Sequence, residues 1–268
     1  MNGTLRLLTV SVIAMLFATQ MATAAQPPGG QPVRSPKAAA PVDFTGQWVS
    51  VVSEDWRWRM TTPLKRDYSS IPVNDAAKKL ADQWDPATDE AAQELCKAYG
   101  VPTIMRMPGR LRVSWQGENV LKIETDAGQQ TRLLQFGAAA PAAGEAPSLQ
   151  GTSAARWEDP PGNRFRGNAG GGGGGTARAG TQSNTLQVVT TNIKPGYLRK
   201  NGLPFSPQAK VTEFFDMYED PDGTKWFVVT TVVDDPTYLT MPWLTTTDFK
   251  QEKASDASKW RPTPCSVR

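Results

Sequence analysis

The sequence predicts a mainly β protein, a single antiparallel meander β-barrel with a short helical pair inserted after the first strand. Three observations carry that expectation. Apolar and polar residues alternate along successive short segments, and clusters of turn-forming residues separate them. About eight such segments follow one another, more than an isolated hairpin needs. They do not alternate with helical patterns as a β-α-β protein would.

The first element reads as one long strand. Phe44, Gly46, Trp48, Ser50, Val52, Glu54, Trp56, Trp58 and Met60 share one parity, and Thr45 through Arg59 fill the other. In an unbroken strand the aromatic parity faces inward. A helical pair follows. Asn74 or Asp75 caps a helix over 76–84, and Asp85 caps a second that starts at Pro86 and runs to Tyr99 before Gly100. The clearest strands come next. Leu111, Val113 and Trp115 alternate with Arg112 and Ser114, Leu121, Ile123 and Thr125 with Lys122 and Glu124, and 132–136 returns after Asp126-Ala127-Gly128. Further strands are expected over 185–193, 210–218, 225–233 and 245–252. Asp220-Pro221-Asp222-Gly223 makes a hairpin turn between two of them rather than a calcium loop, because the later acidic ligands are missing.

Residues 1–24 read as a secretory signal, with Arg6, an apolar run over 7–21 and Ala22-Thr23-Ala24 as cleavage site. Residues 25–41 read as a disordered leader, and 42–268 as the barrel domain with flexible loops at 137–147 and 160–182. The glycine run 170–175 lacks the strand, helix and Lys-Ser/Thr of a phosphate cradle. No apolar run after the signal is long enough to cross a membrane as a helix.

The chain has 268 residues, formal net charge +3, two cysteines and no histidine. Without histidine there is no Ser-His-Asp system, no Cys-His pair and no His-bearing zinc site. Two cysteines are too few for a zinc ribbon or an iron–sulfur cluster. No cofactor is expected. The near-balanced charge gives no reason to invoke nucleic acid, and the composition leaves the oligomeric state open. Export permits a disulfide, and Cys96 with Cys265 is the one possible pairing.

Gly46-Gln47-Trp48 at the start of the first strand resembles the lipocalin signature, in which the Trp plugs the closed end of a calycin-type barrel. The segments Thr45-Gly46-Gln47-Trp48, 195–202 (PGYLRKNG) and 235–239 (DPTYL) are similar to those of a group of secreted Gram-negative bacterial proteins to which no activity is attached. That resemblance implies export and a lipocalin-like barrel.

Candidate residues follow from the inward parity. Glu54 beside Trp56, and Glu213 on a parity with Val211, Phe215 and Met217, are two carboxyl groups expected in an apolar lumen, where desolvation suits them to acid/base work. An arginine partner from Arg57, Arg59, Arg106, Arg110 or Arg112 would make either one structural. Trp56, Arg57, Trp58, Arg112 and Phe215 are candidate ligand contacts, as are Tyr197, Arg199 and Tyr238 on loops at strand ends. The leading expectation is a periplasmic or secreted barrel that holds a small apolar or amphipathic ligand. The alternatives are a metal-free acid/base enzyme (hydratase, isomerase, lyase or glycoside hydrolase) using Glu54 and Glu213, and a cell-envelope interaction module.

Overall fold

A computed structural model of the protein describes residues 34–137, 141, 144–158 and 184–268. The expected signal 1–24, the leader up to 33, part of the 137–147 loop and all of 160–182 lie outside those residues. Eleven strands follow in chain order: β1 (Gly46–Val51), β2 (Arg110–Gln116), β3 (Val120–Thr125), β4 (Thr131–Phe136), β5 (Thr152–Trp157), β6 (Thr185–Thr191), β7 (Gly196–Arg199), β8 (Leu203–Phe205), β9 (Lys210–Glu219), β10 (Lys225–Asp234) and β11 (Trp243–Gln251). Between β1 and β2 come α1 (Trp56–Arg59), α2 (Asp75–Gln83) and α3 (Pro86–Ala91).

Nine strands close into a barrel in the order β1-β11-β10-β9-β6-β5-β4-β3-β2. The β2–β3–β4 meander has the expected pairing, with Val113 opposite Ile123 and Ile123 opposite Arg132. Two features depart from a simple meander. β4 and β5 run parallel, with Leu134 beside Ser153, and β6 pairs with β9 while β7–β8 form a separate two-stranded sheet. An up-and-down lipocalin barrel has eight antiparallel strands. Here the ninth strand and the parallel seam set the fold apart.

The first strand is much shorter than the alternation suggests. Its register ends at Val51 opposite Asp248, Ser53 Oγ donates to Asp248 at 2.9 Å, and Asp55 takes a left-handed conformation (φ 51°). The chain then turns into α1. Trp56, Trp58 and Met60 therefore leave the barrel wall, and the expectation that they line its lumen is corrected: Trp56 is 64% exposed. The element after β1 is this single turn, not the expected helical pair. Beyond it, Asn74 caps α2 by accepting from the Ala77 amide, and Asp85 caps α3 with Pro86 at its first position. α3 stops at Ala91, well before Tyr99. Trp157 Nε1 donates to Pro36 at 3.0 Å, and the Lys37 amide donates to Glu118 at 3.2 Å.

Side chains fill the barrel. Trp48 is fully buried and donates its indole N–H to Phe44 at 2.9 Å. Its ring stands 4.6 Å from Phe227, which stacks on Phe249 at 4.8 Å. Leu111, Leu121, Ile123, Leu134, Leu186, Val188 and Phe215 complete this cluster. Each such side chain taken fully out of water contributes about 1.5–3 kcal/mol. One polar layer interrupts it, where Arg132 meets Glu213 and Ser153 Oγ meets Thr190 Oγ1 at 2.8 Å.

The antiparallel register puts the end of β1, the start of β2, the β3–β4 turn and the β6–β9 connection at the same end of the barrel. That end carries α1–α3 and the β7–β8 hairpin. The C-terminal segment leaves from the opposite end of β11 and returns. Trp260 packs under the Arg112 guanidinium at 4.2 Å, Thr263 bridges to Ala127, and Cys265 forms a disulfide with Cys96 (S–S 2.03 Å).

Candidate functional site

A cavity of about 360 Å³ opens at this end of the barrel. Its walls come from α1 and the segment after it (58–63), from 106–108, from 198–200 and from the tail, with Tyr99, Thr103 and Ala127. None of its lining residues comes from a barrel strand. Its volume falls in the usual range for small-molecule sites.

Three guanidinium groups dominate its chemistry. Arg59 Nε donates to the Arg106 carbonyl at 3.0 Å, and its Nη1 pairs with Glu54. Arg106 Nη2 donates to Asp55 at 2.7 Å, and its guanidinium lies 5.2 Å from the Trp243 ring. Arg199 Nη2 donates to Ser70 Oγ at 2.9 Å, and its guanidinium covers Trp58 at 4.8 Å. The left-handed Asp55 and the single-turn α1 bring Glu54, Asp55, Trp58 and Arg59 together within six residues of chain. A continuous strand would have spread the same residues over both faces.

The electrostatics of this group are strained. Burial first, then the neighbouring Arg106 charge, lowers Arg199 to about 10, with Asp67 and Asp55 opposing. Arg59 is also lowered, by burial foremost, with Glu54 opposing and Arg106 adding to the depression. Arg59 Nη2 and Arg106 Nη1 are buried with no hydrogen-bond partner among the described residues. A buried charged donor left unpaired costs on the order of 1–3 kcal/mol or more.

The second half of the cavity is hydroxyl-rich around one lysine. Lys200 Nζ donates to Tyr99 Oη at 2.7 Å and to Ser266 Oγ at 2.9 Å. Tyr99 is held by Gly128, whose left-handed conformation (φ +74°) lets the turn press on the ring; a Cβ there would stand 2.3 Å from Tyr99 Cδ1. Apolar walls come from Trp58, Met60, Met107 and Leu198.

The residues singled out from sequence scatter across the molecule. Trp58 and Arg199 line the cavity together. Tyr197 and Tyr238 line a separate space of about 200 Å³ beside Lys97 and Pro204. Tyr197 also donates to Asp89 at 2.8 Å. Arg57 is exposed and pairs with Asp67 at 3.3 Å, Arg112 holds Trp260, and Phe215 is barrel core. Glu54 is tied to Arg59 outside the lumen, which corrects its expected placement. Glu213 does face inward, but Arg132 grips both of its oxygens and both side chains are 0% exposed. The two carboxylates share no partner, so the geometry does not assemble the expected acid/base pair. Sequence reasoning passed over Arg59, Tyr99 and Ser266 as cavity residues. The one available signal was the density of arginine, proline and glycine between the strands.

The chain matches no protein-family model, no curated protein and no solved structure.

Proposed function

We propose that the protein binds a small amphipathic carboxylate in the cavity at the end of the barrel, and that it does so outside the cytoplasm. The observation that carries this reading is that Arg59, Arg106 and Arg199 line one 360 Å³ cavity, and that Arg59 and Arg106 are not fully satisfied by the hydrogen bonds of the described residues. Planar guanidinium forks suit a carboxylate geometrically, and the bond is charge-assisted. Trp58, Met60 and Leu198 offer the ligand's apolar part a surface to cover. The Cys96–Cys265 bridge fits an oxidising compartment.

The packed barrel interior favours this end cavity over a ligand in the lumen. A second reading, an envelope interaction module, has one observation behind it: Trp56, Met60 and Leu64 are exposed on and just after α1. Calorimetric titration of phenylpropionate and of its uncharged methyl ester separates the two. The carboxylate binds and the ester does not under the first reading; neither binds under the second.

A further inference from the structure

Tyr99, Lys200 and Ser266 form a closed hydrogen-bonded triangle on the wall of the same cavity, and we propose that it is a nucleophilic site that hydrolyses esters, with Ser266 as nucleophile and Tyr99 as its base. The class of substrate is an ester whose acyl part carries a second, anionic group for the arginines to hold. This last clause rests on the carboxylate-binding reading; the triangle itself does not.

The contacts join the three side chains directly. Tyr99 Oη receives Lys200 Nζ at 2.7 Å and the Ser266 backbone amide at 3.3 Å, and it lies 3.2 Å from Ser266 Oγ. Lys200 Nζ also donates to Ser266 Oγ at 2.9 Å. An ammonium and an amide are donors only, so both occupy lone pairs of the phenolic oxygen. A Tyr99 oxygen so supplied favours the phenolate, and the Ser266 hydroxyl then turns its proton toward it. Burial pulls the Tyr99 phenol upward, but the bonds from Lys200 and Ser266 outweigh it and leave the group below its ordinary value. The Lys200 ammonium also lies 4.8 Å from the centre of the Tyr99 ring.

Ser266 sits close to the chain end, yet it is not a loose tail residue. The disulfided Cys265 on one side and Val267 on the other are both buried. The Gly128 amide donates to the Thr263 carbonyl at 2.9 Å, and the Thr263 amide to Asp126 at 2.9 Å. A nucleophile must be held in place to act, and these contacts hold it. No histidine exists in the chain to serve as base, so a tyrosine beside a lysine is the chemistry this composition permits.

The step balances as follows. The Ser266 proton passes to the Tyr99 phenolate while Oγ bonds to the ester carbonyl carbon, and the carbonyl π pair moves onto its oxygen. Collapse of this adduct breaks the carbon–alkoxide bond, and the departing alkoxide takes the proton from Tyr99. Water then attacks the acyl-serine, Tyr99 accepts its proton and returns it to Ser266 Oγ, and the carboxylic acid leaves.

The test is covalent labelling of the full disulfide-bonded chain with an uncharged alkyl fluorophosphonate, with the modified peptide located by mass spectrometry. An adduct on Ser266 is expected, formed at least ten-fold more slowly in Tyr99→Phe and Lys200→Met. The rate should rise with pH through a midpoint below that of free tyrosine. Hydrolysis of 4-nitrophenyl acetate should fall at least ten-fold in Ser266→Ala, a substitution small enough to leave the tail in place. Absence of an adduct at Ser266, or unchanged hydrolysis in Ser266→Ala, overturns the proposal. Phenylpropionate binding, measured on the same samples, stands or falls separately.

Discussion

Arg132 and Glu213 meet across the barrel with both side chains out of water and both carboxylate oxygens bonded. A pair of this kind gives weak net stability, but removing one partner strands a buried charge. Glu213→Ala should therefore destabilise the fold by about 3–5 kcal/mol in urea denaturation while leaving phenylpropionate binding unchanged. The tyrosines provide a second check at this scale. Burial, then the hydrogen bond to Asp82, pushes Tyr68 up to about 12, and burial with the bond to Asp89 does the same for Tyr197. Their folded values exceed the unfolded value near 10, so the stability they contribute is complete below about pH 10. It is lost as pH rises toward 12. Tyr99 has the opposite sign. A spectrophotometric titration should show Tyr99 ionising ahead of Tyr68 and Tyr197, and Tyr99→Phe should delete that earlier step. At this scale the sequence was only partly legible. The alternation around Glu213 revealed its inward direction, but its partner comes from a strand far away in sequence, which spacing cannot reveal. For Glu54 the parity argument failed because the strand register ends at Val51, before that residue is reached.

Among the elements, β2, β3 and β4 were legible because local alternation and turn residues agree. The parallel β4–β5 pairing was not, since nothing in either strand encodes direction. The end of β1 was hidden for another reason: Trp56, Trp58 and Met60 continue the strand parity into a single helical turn. The C-terminal segment is the element on which the site most depends. The Cys96–Cys265 bridge spans 169 residues and holds Thr263, Pro264 and Ser266 against the cavity. Cross-linking so long a loop is worth roughly 5 kcal/mol in the chain-entropy account. Cys265→Ser should lower the denaturation midpoint strongly and weaken phenylpropionate binding, because the tail wall is no longer held. Retention of full affinity in that variant would show that the tail is not part of the site. Asp89 joins α3 to β7 by accepting from Trp84 at 2.8 Å, Lys97 at 2.6 Å and Tyr197 at 2.8 Å. Burial raises this carboxyl, but those bonds prevail and its value is lowered, so its contribution is present above about pH 4 and lost as acid is added.

At the scale of the whole molecule, a side-chain-filled barrel serves as a rigid frame, and the connections gathered at one end form the cavity. The frame could be read from composition and period. The cavity could not, because it joins α1, the β7–β8 hairpin and the tail, three segments whose meeting depends on barrel closure and one disulfide. The central claim is that the arginines lining this cavity select a carboxylate there. The most direct measurement is a thermal-shift and calorimetric comparison of phenylpropionate with its methyl ester, on the native chain and on Arg106→Met. The account predicts that the carboxylate stabilises the native chain, by about 2.7 kcal/mol at a hundred-fold excess over its Kd. The ester should do nothing, and Arg106→Met should lose on the order of ten- to a hundred-fold in affinity, as removal of a charged hydrogen bond does. Equal binding of acid and ester, or undiminished carboxylate affinity in Arg106→Met, would contradict it.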